Sequence, residues 1–256
     1  MKLKIENKLG DINLQEKNQK IPYNIFQTFK YREVPVSMYE NCHKWIELNP
    51  EYNYYFYDDK EMFEYVNKSP FKGFEYNKQV FLKAFNKIKP GAGKSDLFRL
   101  LIIYEKGGCY FDFDTTCSKP LRKLIKEDDE VVTGTGSYND WFIQWGLIYV
   151  KNHPFIKKAL EIAIYNIIKE KFIYNMQRLQ YLCGPPCLDL AIRKVLNVDK
   201  YYKFKPKNYI MNNIKFTIIP RAQNFNKCVE FKYSAYKFDL KDLNMIHWGY
   251  EDIFNK

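Results

Sequence analysis

No apolar run in this chain approaches the length of a membrane-spanning helix, and the best candidate is interrupted by Arg99. The first twenty residues, MKLKIENKLGDINLQEKNQK, are charged throughout, so they are expected to be a loose polar leader rather than a signal sequence or anchor. Together these absences lead to the expectation of a cytoplasmic protein. Histidine is scarce, with three residues at 43, 153 and 247, which leaves little material for a His-rich metal site. Six cysteines stand at 42, 109, 117, 183, 187 and 228 without zinc-knuckle spacing, since Cys183 and Cys187 are separated by Gly-Pro-Pro. Reduced thiols are expected. No Pro/Gly/Ser-rich linker, low-complexity tract or internal repeat divides the chain, so residues 21–256 read as one domain. The net charge of +11 comes mainly from scattered lysines rather than a dense basic block, which reads as a Lys-rich surface and argues against nucleic acid as partner.

What is present is a core and a rhythm. Hydrophobic residues make up 46% of the chain, enough to fill one large domain. Asn24–Phe29 reads as a strand, Ser37–Leu48 as a helix, Tyr52–Tyr57 as a strand, and Lys60–Val66 as a helix capped by Asp58-Asp59. That alternation predicts an α/β sandwich with a mostly parallel central sheet and peripheral helices. Further on, helices are expected over Lys78–Lys87, from Pro154 to about Lys171 and over Cys187–Leu196. Strands are expected over Glu130–Thr133, Phe142–Val150 and Phe216–Ile219.

The chemistry concentrates in Gly93–Thr115, GKSDLFRLLIIYEKGGCYFDFDT. Ser95 is placed as an N-cap, Leu97, Leu101 and Tyr104 recur at helical spacing, and Gly107-Gly108 provide a stop. Cys109-Tyr110-Phe111 then runs as a strand into Asp112-Phe113-Asp114. Residues two apart in a strand share a face, so the two carboxylates are expected side by side, where only a cation makes them inexpensive. A hard divalent ion such as Mn²⁺ or Mg²⁺, completed by phosphate oxygens, suits that donor set. Asp96 and Arg99 lie three apart on the preceding helix and share a face. Gly93-Lys94-Ser95 is not a P-loop, because position 88 is Ile where the first glycine is required. Gly134 and Gly136 begin a dinucleotide-like pattern that fails at Asn139.

Taken together, Ser95-Asp96-Leu97-Phe98-Arg99 and Gly107-Gly108-Cys109-Tyr110-Phe111-Asp112-Phe113-Asp114 closely resemble the sugar-binding region of DXD-motif glycosyltransferases. The nearest resemblance is to family 32, with its Och1-like mannosyltransferases and capsular sugar transferases. Ile21–Phe29, Trp45 with Asn49-Pro50-Glu51-Tyr52, Gly184-Pro185 and His247-Trp248 resemble other segments of that family in order. Phe26 and Phe29 stand where the family usually has His and Trp.

The resemblance implies a GT-A fold and a metal-dependent, retaining transfer of a hexose from a UDP- or GDP-hexose to a glycan or glycoconjugate acceptor. By position, Asp96, Arg99 and Tyr110 would contact the sugar or ribose. Asp112 and Asp114, with His247, would serve the metal, and Trp248 and Gln27 would line the donor site. Acceptor specificity is expected in the loops at 67–92 and 134–142 and in the helices after Pro154. The alternative is a non-catalytic module on a decayed transferase fold, binding anionic nucleic acid or glycan.

Overall fold

A computed structural model of the chain describes residues 1–16, 18–136, 140–170, 178–219, 225, 227–231, 236–243 and 245. In chain order the elements are β1 (Lys2–Lys4), β2 (Asn24–Thr28), β3 (Glu33–Pro35), α1 (Val36–Leu48), β4 (Asn53–Tyr57) and α2 (Asp59–Lys68). There follow α3 (Lys78–Lys87), α4 (Gly91–Lys106), β5 (Gly108–Phe111), β6 (Thr115–Cys117), β7 (Val131–Gly134), β8 (Gly146–Tyr149) and α5 (Pro154–Ile168). The chain continues with α6 (Arg178–Cys183), α7 (Pro185–Leu196), β9 (Lys207–Met211), β10 (Ile214–Ile219), β11 (Val229–Phe231) and α8 (Tyr236–Asp242).

Local chemistry accounts for most of these boundaries. Asp58 and Glu61 form a reciprocal capping box at the start of α2. Pro154 occupies the first turn of α5, where its missing N–H is no loss, and the His153 ring accepts from Phe155 N at 3.2 Å. α4 begins at Gly91 behind Pro90, so Ser95 lies inside the helix and is not its cap. The Pro90 carbonyl accepts from Gly93 N at 3.0 Å and Lys94 N at 3.2 Å in the first turn, and Ile88 and Leu179 close against Gly93, where an added Cβ would lie 2.6–2.7 Å from them.

A seven-stranded sheet carries the order β4-β2-β5-β8-β7-β10-β9. β2 pairs in parallel with β4 and β5, and β7 with β10. β8 runs antiparallel to both β5 and β7, and β9 to β10, so the sheet is mixed. The connection from β7 to β8 is too short for a helical crossover, which obliges them to pair antiparallel. Apolar side chains pack on both faces. One layer joins α3, α4, α5, α6 and α7 to the sheet, and the other joins α1 and the N-terminal residues. β5 is buried on both faces: Tyr110 belongs to the first layer, Cys109 and Phe111 to the second.

Residues 1–20 are not the loose leader expected. β1 pairs antiparallel with β3, Ile5 is buried, and Asn7 Oδ1 accepts from Phe56 N at 2.8 Å. Lys8 bridges Tyr54, and Asp11 N donates to Pro50 O at 2.8 Å. The segment covers the outer edge of β4, whose backbone groups would otherwise be open. Of the expected strand Phe142–Val150, only Gly146–Tyr149 joins the ladder; Phe142 makes an isolated bridge to Thr135. No helix among the described residues is long and apolar enough to cross a membrane.

Candidate active site

The site is built where α4 returns into the sheet. Gly107 and Gly108 carry φ of +64° and +110°, and any Cβ there would meet Lys151 N or Asn24 O at 2.6 Å. Only glycine permits so tight a reversal beside β2. β5 then emerges at the sheet end where the parallel strands finish, and its last residues face the polar side of α4.

Arg99 is the hub. Its guanidinium meets Asp96 Oδ1 at 3.1 Å and Asp112 Oδ1 at 2.6 Å, donates to the Gln144 carbonyl at 3.1 Å, and lies 4.8 Å from the centre of the Tyr110 ring. The three charged side chains retain little exposure: 8% for Arg99, 14% for Asp96 and 26% for Asp112. Two carboxylates share one guanidinium in a dry setting, so one of them ionises with difficulty. Burial pushes Asp96 up to about 7; Arg99 opposes this and the like charge of Asp112 adds to it. Burial also raises Asp112, with Arg99 pulling the other way. Burial works against the charge on Arg99, but Asp112, Tyr110 and Asp96 hold it above its ordinary range, so it stays cationic.

The expected strand through Asp114 is instead a turn. β5 ends at Phe111, Asp112 N adds one bond to Trp145 O at 2.8 Å, and the chain then folds back. The Asp112 carbonyl accepts from Thr115 N at 3.0 Å, Thr115 Oγ1 at 2.6 Å and Gln27 Nε2 at 3.3 Å. Asn41 Nδ2 on α1 ties Thr115 O at 2.8 Å. The carboxylates of Asp112 and Asp114 are thus brought to one end of the sheet by a firmly bonded turn, not by strand alternation. Gln27 is fully buried, held by Tyr54 OH at 2.8 Å, and supports the turn from behind. Its side chain lines no open base pocket in this conformation.

Among the described residues, no group of three His, Cys, Asp or Glu side chains is placed to hold a metal ion. The half-buried turn offers two oxygen donors, Asp112 and Asp114, one of them already shared with Arg99. That set fits a hard divalent ion whose remaining positions are filled by phosphate and water, not a closed protein cage. His247 and Trp248 lie outside the described residues.

Three residues of this cluster escaped sequence reasoning. Gln144 is fully buried and donates through Nε2 to Asp96 Oδ1 at 3.2 Å and to Cys183 O at 2.6 Å. Its signal was a lone amide inside the aromatic run Trp141-Phe-Ile-Gln-Trp145. Cys183 donates its thiol to Asp96 Oδ2 at 3.6 Å; burial first, then Asp96, keep that thiol protonated. Tyr236 on α8 lies within electrostatic reach of the turn: burial raises its phenol, and Asp114 and Asp112 add to this. α8 is tied to α1 by Ser37 Oγ donating to Asp239 Oδ1 at 2.6 Å. An open concavity of about 580 Å³, lined by Ile12, Asn13, Gln15, Glu16, Gln19 and Tyr23, shares no residue with this cluster. It borders the start of β2, the sheet end opposite the Asp112 turn.

Comparison with known proteins agrees with this geometry. Residues 35–131 match the model of the glycosyltransferase sugar-binding region containing the DXD motif. A mannosyl phosphorylinositol ceramide synthase of Saccharomyces cerevisiae is 30% identical over 147 residues, covering 57% of this chain and 35% of the relative. An inositol phosphoceramide mannosyltransferase of Schizosaccharomyces pombe is 25% identical over 210 residues, covering 78% of this chain and 53% of the relative. The chain thus spans about half the length, or less, of these curated relatives. The solved PaToxG glycosyltransferase superposes with a TM-score of 0.52 at 22% identity over 70% of each chain, which establishes a shared GT-A fold. The motif, the Asp96–Arg99–Asp112 cluster and the fold thus agree in making this chain similar, over residues 35–131, to the glycosyltransferase sugar-binding region containing the DXD motif.

Proposed function

We propose that this chain is a glycosyltransferase that moves a hexose, mannose foremost, from a nucleotide diphosphate sugar to a hydroxyl of a glycan or glycolipid, with retention at the anomeric carbon. The single observation that carries this reading is the bonded turn presenting Asp112 and Asp114 beside an Arg99 already paired to Asp96. The mannosyl preference rests on the names of the relatives, two of which act on inositol phosphoceramides by name.

In this reading Asp114 would hold Mn²⁺ or Mg²⁺, and Asp112, bonded by Arg99 and Tyr110, would accept from a sugar or ribose hydroxyl. The ion supplies neutralisation of the charge that develops on the leaving diphosphate. Arg99, fixed by Asp96 and Gln144, opposes the burial of Asp112 by favouring its charged form and orients it, so the arrangement is pre-organised before donor binds. The acceptor oxygen then bonds to the anomeric carbon as the bond to the β-phosphate oxygen breaks. The hydroxyl proton passes to the leaving diphosphate. Tyr236, within electrostatic reach of Asp114 and Asp112, would border the donor.

A thermal-shift screen tests the donor assignment. UDP-glucose, UDP-galactose and GDP-mannose are each added with and without Mn²⁺, and GDP-mannose is expected to raise the melting temperature most, only when Mn²⁺ is present. Stabilisation by a nucleotide-sugar that is indifferent to the metal would remove the metal from the reading. Salt-sensitive stabilisation by nucleic acid alone would replace the reading with a binding module.

A further inference from the structure

The buried face of α1 is interrupted by one amide. Met38, Asn41, Cys42, Trp45 and Ile46 are its buried residues, and Asn41 alone of them carries an amide side chain. A buried amide is costly unless it is bonded. Asn41 Nδ2 donates to Thr115 O at 2.8 Å, a partner 74 residues away. At the end of the helix Asn49 accepts through Oδ1 from Leu121 N at 2.6 Å and donates through Nδ2 to Cys117 Sγ at 3.5 Å. Two buried asparagines therefore fasten residues 115–121 to α1 at both ends of that segment.

Thr115 closes the turn that presents the carboxylates. Its N–H returns to Asp112 O at 3.0 Å, so Phe113 and Asp114 are the central residues of a four-residue turn. Phe113 is buried and stacks on Phe29 with ring centres 4.7 Å apart. Asp114 is half-buried between Phe113 and Thr115, both of them buried. The backbone at Asp114 is thus set from one side by Phe113 in the core and from the other by Thr115, whose carbonyl Asn41 holds.

We propose that Asn41 is a positioning residue of the carboxylate turn: by holding the Thr115 carbonyl on α1, it fixes the backbone from which Asp114 reaches the donor site. Asn41 acts through Thr115 and touches neither donor nor metal. What Asp114 binds rests on the transferase reading; the clamp on the turn does not.

The test uses the full chain. Asn41→Leu keeps the volume and removes the donor, and Asn41→Ala replaces it should the leucine variant fail to fold. Ile46→Ala removes packing from the same helix and breaks no hydrogen bond. Amide hydrogen exchange, read by NMR without ligand, should be about tenfold faster at Thr115 in Asn41→Leu, relative to the β5 amides, the scale of one buried hydrogen bond. Ile46→Ala should leave that ratio unchanged. Mn²⁺ affinity, read by electron paramagnetic resonance with saturating GDP or UDP, whichever wild type binds, should weaken about tenfold in Asn41→Leu and not in Ile46→Ala. Unchanged Thr115 exchange in Asn41→Leu would overturn the clamp. Faster exchange with unchanged Mn²⁺ affinity would overturn its role in the site, as would equal effects from Ile46→Ala. No Mn²⁺ binding by wild type with either nucleotide would instead sink the transferase reading, while exchange at Thr115 still judges the clamp.

Discussion

Asp96 sets the pH behaviour of the site. Its carboxyl, near 3.8 in an unfolded chain, is held up to about 7 in the folded one by burial. A group raised in this way contributes stability below its unfolded value and loses it as pH rises through the folded value. Asp96→Asn should therefore raise the melting temperature relative to wild type more at pH 8 than at pH 5, while impairing transfer. A pH-independent difference would show that Asp96 is ionised as easily as a surface carboxylate. Arg99→Ala acts in the opposite sense. It leaves Asp96 and Asp112 buried without their shared cation, and a urea titration should show a loss on the order of 3–5 kcal/mol. The sequence made Asp96, Arg99 and Asp112 visible as a patterned triplet. It did not reveal Gln144 or Cys183, because their partner Asp96 is distant along the chain and no spacing rule joins them.

At the scale of elements, two features carry predictions. The α4–β5 reversal depends on Gly108, whose φ of +110° and contact to Asn24 O exclude a side chain. Gly108→Ala should destabilise by about 1–3 kcal/mol or more, read as a lower urea midpoint, since strain and a backbone clash act together. His153 caps α5 as a neutral ring, and burial lowers it to about 3. A group lowered in this way loses stability as pH falls below its unfolded value near 6.5. The gap between His153→Asn and wild type should therefore move in favour of the variant by about 2 kcal/mol between pH 7 and pH 4.5. Asn caps well and does not titrate. A constant gap would mean that His153 titrates freely. These elements were largely legible: α1, α2, α3 and α7 follow from apolar spacing, with the Asp58 cap marking the start of α2. The turn at Asp112–Thr115 was not, because alternation of Cys109-Tyr-Phe-Asp-Phe-Asp continues unbroken in sequence. Only the three donors converging on the Asp112 carbonyl end the strand there.

For the whole molecule, the α/β class followed from the strand–helix rhythm, but the mixed sheet did not. Antiparallel β8 is imposed by a connection too short for a crossover, a matter of length rather than composition. The N-terminal residues look like a polar leader because their lysines and glutamates alternate with few apolar residues. They dock through strand pairing with β3, one buried apolar residue, Ile5, and single backbone and side-chain bonds to β4, which leave little mark in the apolar pattern. The Asp96–Arg99–Asp112 cluster was readable because it sits within one continuous stretch, whereas α8 reaches it only through the fold.

A single assay bears on the proposed transferase reading as a whole: turnover of GDP-mannose by purified protein with Mn²⁺, compared with the same protein in excess chelator and with Asp114→Ala. Release of GDP, by hydrolysis or transfer, is expected from wild type with Mn²⁺, and its loss is expected under both other conditions. Turnover that persists in Asp114→Ala and in chelator alike would contradict a metal-assisted site at the Asp112–Asp114 turn.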